Sequence, residues 1–152
     1  MDIEGILEGA IQGEVESYEL YMAAVELVET PHIKDMLREL AQEELGHKAV
    51  LEKMLADPDK LRQRLAQRKA EPVVDYKVAD HLVANPLQSD STFQDVCIFA
   101  AQKEQQSYEL YRDLAAQSSG EVHDLLESMA QDELRHKNLV ERWYEDIVYQ
   151  EF

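Results

Sequence analysis

Two short segments of this sequence each carry a glutamate and a histidine three residues apart. AQEELGHK contains Glu44 and His47, and AQDELRHK contains Glu133 and His136. Residues at this spacing lie on one face of a helix, one turn apart, so the carboxylate and the imidazole can bind one metal ion between them. Both pairs fall on the apolar stripe of their helices, where burial of a charge is costly. A bound cation would offset that cost; a polar core network without metal is the alternative.

The elements that must position these residues are four long helical patterns. They cover about 2–29 and 31–56, and then begin again near 89–92 and after 118–120. In each pattern the apolar residues recur at alternating steps of four and three, which predicts one buried face per helix. Thr30 as N-cap and Pro31 at the first helical position mark the start of the second helix. Glu14 and Glu104 lie on the stripes of the first and third helices.

The two halves of the chain repeat each other. EVESYELY at 14–21 matches EQQSYELY at 104–111, and the two glutamate–histidine segments match with one residue less between them. Short links join the helices within each half, about 2–56 and 91–147, whereas 57–90 is long enough to cross a bundle and to contain a short helix. The sequence therefore predicts an all-α, ferritin-like four-helix bundle of two duplicated hairpins, in a single domain over 1–152.

Packing of one hairpin against the other about a pseudo-twofold axis would bring six polar stripe residues to one point. Two helices that supply a Glu and two that supply Glu-x-x-His form the ligand pattern of dinuclear carboxylate sites. Two divalent cations would balance the four carboxylates. A carboxylate-rich site without thiolate favours two iron ions, and manganese or zinc could also bind. The predicted metal ligands are Glu14, Glu44, His47, Glu104, Glu133 and His136.

Several neighbours of these motifs are left outside the predicted ligand set. Glu16, Glu43 and Asp132 point about 100° away from the stripe, because each residue of an α-helix turns the chain by that angle. The remaining histidines lie near helix starts or in the connector, and we expect all of them at the surface: His32, His81 and His123.

The tyrosines and the cysteine give weaker signals. Tyr21 and Tyr111 lie two turns from the glutamates of their helices and could hydrogen-bond to ligand carboxylates, with core packing as the equal alternative. We expect Tyr18 and Tyr108 to pack in the core. Cys97 matches an apolar position of the first helix and is predicted to be a small buried hydrophobe.

Composition limits the partners. The net charge is −17, from 32 acidic and 15 basic residues, which argues against nucleic acid and against an anionic membrane. The acidic start of the chain has no long apolar run, and charges interrupt every apolar run elsewhere. A single cysteine excludes an internal disulfide and a cysteine-rich metal site. A cytoplasmic protein is the default expectation.

The repeated pattern E-x-x-S-x-x-x-Y followed by E-x-x-H resembles the rubrerythrin family over nearly the whole chain. The resemblance implies a non-haem di-iron protein in which Glu44 and Glu133 bridge the irons. It further implies terminal ligands on one iron from the first hairpin and on the other from the second. Members of the family reduce hydrogen peroxide, and ferritin-like relatives oxidise ferrous iron with dioxygen or peroxide.

Two features depart from the family pattern. Rubrerythrin proper carries a small iron–sulfur domain with Cys-x-x-Cys pairs, whereas this chain has one cysteine, so electrons would come from a separate donor protein. Family members also carry an additional glutamate one turn after the ligand in the third helix, where this chain has Ser107. The resemblance therefore does not extend to an exchange of glutamate and histidine ligands.

The leading functional hypothesis is a di-iron enzyme that reduces hydrogen peroxide. A ferroxidase or iron-handling role is the first alternative, and it would need an assembly or a container for the mineral. A metal-stabilised structural bundle or scaffold is the second. A substrate oxygenase is less favoured, because no residues mark a pocket for an organic substrate. Association into a homodimer is also expected to be possible.

Overall fold

The computed structural model describes residues 3–57, 59–60 and 87–150, with side chains as far as 147. Four helices make up most of these residues: α1 (Ile3–Ala24), α2 (Pro31–Ala56), α3 (Phe93–Ala116) and α4 (Gly120–Gln150). The described ranges contain no strand, and the predicted all-α class is confirmed. Most of the predicted crossover, with its short helix and His81, lies outside the described residues.

The helices pair in the order of the chain. α1 packs mainly along α2 and α3 mainly along α4, and the two hairpins meet through smaller contacts of α1 with α3 and of α2 with α4. This is the arrangement that two copies of one hairpin form when they pack face to face. None of the helices in the described ranges is long and apolar enough to cross a membrane.

α1 ends earlier than the periodicity predicts. It stops at Ala24, a single 3-10 turn follows over Val25–Leu27, and Val28 is already extended. The break comes well before Pro31, whereas proline disfavours the helical conformation only in the residue directly before it. Thr30 is accordingly extended, with φ −71° and ψ 115°.

The start of α3 has a complete capping box. The Thr92 side chain accepts a hydrogen bond from the backbone N–H of Asp95, and the Asp95 carboxylate accepts one from the backbone N–H of Thr92. Two backbone donors that a helix N-terminus leaves free are thereby satisfied. At α2 the predicted N-cap residue Thr30 stands in the right place but makes no such side-chain bond.

The core has three layers along the bundle. One apolar cluster includes Leu7, Leu51 and Leu126, and the other includes Leu37 and Trp143. Along every helix a glutamate or a glutamate–histidine pair stands between the segments that belong to the two clusters. The bundle therefore encloses a polar layer between two apolar layers, and the six predicted ligands form it.

Candidate metal centre

The six predicted ligands are all buried and lie close together. His47 is the most exposed of them, at 5%. They form two overlapping groups, and within each group one ligand atom from every residue lies within 4.8 Å of the others. Glu44 and Glu133 belong to both groups, so two cations bound here would share them. The two groups are Glu14, Glu44, His47 and Glu133, and Glu44, Glu104, Glu133 and His136.

The inner nitrogen of each histidine faces the carboxylates. Nδ1 of His47 lies 2.8 Å from Oε1 of Glu133, and Nδ1 of His136 lies 2.9 Å from Oε1 of Glu44. Each imidazole thus contacts the glutamate of the other motif more closely than its own, which lies at 3.8 Å for His47 and 3.9 Å for His136. The two motifs interlock across the pseudo-twofold axis.

The outer nitrogen of each histidine contacts a carboxylate that the sequence reasoning left out. Nε2 of His47 lies 2.9 Å from Oδ2 of Asp132, and Nε2 of His136 lies 2.8 Å from Oε2 of Glu43. If Nε2 carries the proton and donates it to the carboxylate, the lone pair of Nδ1 is free for a metal. Asp132 and Glu43 are therefore placed to fix the tautomer and the orientation of the two rings when a metal binds.

Arg135 connects these two outer carboxylates. Its Nη2 atom lies 2.5 Å from Oε1 of Glu43 and 3.8 Å from Oδ1 of Asp132. The aligned position of the first half is Gly46, so this cation has no counterpart there. The outer edge of the site is symmetric in its carboxylates and asymmetric in its positive charge.

Two tyrosines hold the remaining pair of glutamates. The hydroxyl of Tyr21 donates a hydrogen bond of 2.6 Å to Oε1 of Glu104, and the hydroxyl of Tyr111 donates to Oε1 of Glu14. Of the two alternatives for these tyrosines, both are observed, since each hydrogen-bonds to a glutamate and also packs in an apolar cluster; Tyr108 packs in the cluster of Tyr111. Each bond crosses from one hairpin to the other and leaves the second oxygen of the glutamate free.

The atoms that stay without a well-oriented hydrogen bond show what the site can bind. They are one oxygen each of Glu14 and Glu104, both oxygens of Glu44 and Glu133, and Nδ1 of both histidines. Buried polar atoms without partners are costly, and cations would satisfy them. The supply of free oxygens fits two bridging and two terminal glutamates, and two divalent ions would neutralise four carboxylates. The residues present fit a dinuclear metal centre.

Without metal the clustered carboxylates favour protons. Burial and the neighbouring charge of Glu104 raise the pKa of Glu44 to about 8. The same two causes raise the pKa of Glu133 well above its ordinary value. Burial alone would raise the pKa of Glu104 too, but interactions with His136 and Glu133 and the bond from Tyr21 hold it below the ordinary value.

Burial changes the pKa of the two histidines in the direction opposite to that of the carboxylates. Burial alone would lower the pKa of His47, but Glu14 and Asp132 raise it to about 9. Burial likewise opposes the positive charge of His136, and Glu104 and Glu44 raise its pKa to about 10. The metal-free centre therefore holds protons near neutral pH, and a binding metal ion must displace them.

The other singled-out residues lie outside the centre. His32 is exposed as predicted, but His123 is half-buried and its Nδ1 lies 2.7 Å from the backbone oxygen of Ala115 near the end of α3. Cys97 is a buried hydrophobe as predicted, and burial raises the pKa of its thiol to about 12. Glu16 forms an ion pair of 2.9 Å with Lys103.

Fold and site together define a class of protein, the four-helix bundle with a carboxylate–histidine centre built from duplicated hairpins. A family model described as Rubrerythrin matches residues 5–144, and the chain belongs to the rubrerythrin family. A solved structure of a hypothetical protein from Pyrococcus furiosus is similar, with a TM-score of 0.74 and 22% identity over 99% of this chain and 92% of that one. This likeness supports the fold alone. No curated protein matches the chain significantly.

Proposed function

We propose that this chain binds two iron ions in the centre and reduces hydrogen peroxide with electrons from a separate donor protein. The observation that supports it best is the distribution of free oxygens. Glu44 and Glu133 each have two and belong to both ligand groups, whereas Glu14 and Glu104 each have one and belong to one group. This distribution suits two ions that lie side by side and share two carboxylates.

The donor atoms and the redox chemistry favour iron or manganese, and membership of the rubrerythrin family supports iron. Carboxylate oxygens and imidazole nitrogens suit iron and manganese, and zinc also accepts them. Cys97 belongs to an apolar cluster and supplies no thiolate to the site. Among these metals, iron and manganese can change oxidation state, and peroxide reduction requires such a change.

Two bound ferrous ions would supply one electron each, which with two protons converts hydrogen peroxide into two molecules of water. The residues of the chain fix the geometry for this chemistry. Tyr21 and Tyr111 hold one oxygen of each terminal glutamate, and Asp132 and Glu43 hold the imidazoles. The apolar clusters above and below the polar layer limit water, which strengthens the electrostatic interactions inside.

An external electron donor completes the proposal. Two electrons must return to the centre after each turnover, and the sequence has a single cysteine and so no Cys-x-x-Cys pair that could hold its own iron–sulfur site. We assign this role to a separate donor protein.

The test is anaerobic loading with two ferrous ions per chain, followed by rapid mixing with hydrogen peroxide or with dioxygen while the oxidation is followed optically. We expect fast oxidation by peroxide and slow oxidation by dioxygen. Equal or faster reaction with dioxygen would replace peroxide reduction by a ferroxidase role. If neither oxidant reacts, the redox proposal is wrong and the metal is structural.

A matched pair of variants on α2 shows whether the reaction belongs to this centre. Glu44→Gln removes a shared ligand and should abolish stoichiometric loading and oxidation together. Glu39→Gln makes the same chemical change at an exposed position of the same helix and should leave both unchanged.

A further inference from the structure

A groove of about 320 Å³ runs between α1 and α3, on the seam where the two hairpins meet. Its volume is roughly ten times the share of one water molecule in the liquid, about 30 Å³, so several small molecules fit. The α1 wall consists of three glycines, Ala10 and Ile6, and the α3 wall is partly polar. The residues that matter here are Gly5, Gly9 and Gly13 on α1, and Lys103, Ser107 and Tyr111 on α3.

The groove reaches the candidate centre through Tyr111. This residue lines the groove, is only 1% exposed, and donates its hydroxyl hydrogen bond to Glu14. Glu14 itself follows Gly13 directly in α1, and its second carboxylate oxygen is buried without a hydrogen bond. One side chain therefore separates the groove from a predicted terminal ligand.

Two of these glycines, Gly9 and Gly13, stand beside space that none of the described residues fills. Glycine inside a helix is unfavourable relative to alanine. A Cβ atom added at Gly9 or Gly13 would meet no heavy atom within 4 Å. Packing against the described residues therefore does not explain these glycines, and both line the groove, so that a side chain at either position would project into it.

The opposite seam, between α2 and α4, is a poorer route to the metal. A groove of about 460 Å³ lies there, but Glu43 and Arg135 line it and pair with each other. Behind Glu43 stands the His136 ring, which presents Nε2 to this side and Nδ1 to the carboxylates. A molecule arriving there would meet the imidazole at Nε2, which already contacts Glu43, and not at Nδ1, which faces the predicted metal ligands.

We propose that the α1–α3 groove is the access route by which small oxidants reach the metal centre, and that Gly9 and Gly13 set the size of the molecule that passes. This inference rests on the proposed function for the identity of the oxidant, hydrogen peroxide. The route itself is open to any small polar molecule of similar size, and that allows a test without turnover.

The probe is azide and the protein is loaded with two Co²⁺ ions per chain, so that azide binding changes the visible spectrum. Gly9→Leu and, on the other wall, Ser107→Leu should slow azide association at least about tenfold, because a narrowed path lowers the rate of binding. The spectrum at saturation and the dissociation constant should stay unchanged, since neither residue is a predicted ligand. Glu8→Leu adds the same side chain at an exposed neighbouring position and should bind azide at the wild-type rate.

Other outcomes would overturn the access route. These are equal association rates in all variants, or a wild-type cobalt protein that does not respond to azide. Unchanged azide kinetics together with a change in oligomeric state on Gly9→Leu would mean that the groove is an interface with a second copy. Cobalt stoichiometry and helical circular dichroism identify any variant that fails to fold. If one groove variant fails, the azide association rate of the other tests the access route.

The two proposals fail separately. If the ferrous wild-type protein does not react with peroxide but the groove variants slow azide, the route stands and the peroxidase function is wrong. If peroxide oxidises wild type and both groove variants equally fast, the function stands and the route is wrong.

Discussion

Nε2 of His47 on α2 lies 2.9 Å from Oδ2 of Asp132 on α4. The two residues belong to different halves of the repeat, and His136 and Glu43 reproduce the contact in the opposite direction at 2.8 Å. Each hairpin therefore orients the histidine of the other. The orientation of the predicted histidine ligand in either half therefore involves a carboxylate that its own hairpin does not contain.

Removal of this carboxylate should weaken metal binding without removing a ligand. We expect Asp132→Ala to lower the affinity for Zn²⁺ or Co²⁺ about 10- to 100-fold, because the freed imidazole loses its orientation and tautomer. Competition with a chromophoric chelator measures the affinity. Asp124→Ala, at an exposed position of the same helix, is the control. Equal affinities in the two variants would mean that the outer carboxylate does not position His47.

The hydroxyl of Tyr111 should stabilise the metal-free protein. Tyr111→Phe leaves an oxygen of buried Glu14 without its donor, and an unsatisfied buried group costs about 1–3 kcal/mol. Urea unfolding of the metal-free protein measures this loss. Tyr108→Phe removes a hydroxyl from a buried tyrosine of the same apolar cluster and should cost less. A similar loss in both variants would assign the effect to packing instead of the hydrogen bond.

The stability of the metal-free protein should fall as the pH rises. The pKa of Glu44 is raised to about 8 in the folded state. At a pH above the lower pKa of the unfolded state, the folded protein therefore still holds a proton that the unfolded chain has lost. His47 and His136, with pKa values of about 9 and 10, retain protons in the folded state above pH 6.5. The stability that these three groups contribute is lost as the pH rises through their pKa values in the folded state.

Glu104 has the opposite shift, but the stability that it contributes is lost only as the pH falls below its ordinary value. Urea unfolding between about pH 5 and about pH 9 should therefore show a steady decrease for the metal-free protein. The metal-loaded protein should not follow this curve, because the cations replace the protons. A stability that increases over this range would contradict the clustered buried carboxylates.

Metal binding should stabilise the fold in two separable steps. A ligand that binds only the native state adds about 2.7 kcal/mol at a free concentration of 100 times its dissociation constant. Glu133→Gln should weaken both steps, because Glu133 belongs to both ligand groups. Glu14→Gln should weaken one. Calorimetric titration with Zn²⁺ distinguishes the two patterns, and a single affected step in both variants would show that Glu133 is not shared.

The helical period made most of the centre predictable. Residues on the stripe of one helix keep a fixed rotation about its axis, so Ile3, Leu7 and Glu14 are buried together as the spacing predicts. The repeat then placed the two glutamate–histidine pairs opposite each other. Neither inference needed the details of packing.

The same reasoning missed Asp132 and Glu43 for a physical reason. The rotation of a residue about its own helix tells where it points but not which neighbouring helix stands there. The 100° offset that removed these residues from their own stripe directs them towards the histidine of the other hairpin. Only the packing of α2 against α4 shows this. The repeat carried a usable signal, since an acidic residue precedes the glutamate in both copies.

The crossed histidine contacts have a consequence for the origin of the chain. A single hairpin holds half of the predicted ligands and lacks the carboxylate that would orient its own histidine. A protein of one hairpin could therefore form such a centre only if two identical chains associated. Fusion of two copies turns that encounter into an intramolecular step. It also frees the halves to diverge, as Arg135 opposite Gly46 shows. The pseudo-twofold axis of the present chain stands where the twofold axis of such a pair of identical hairpins would lie.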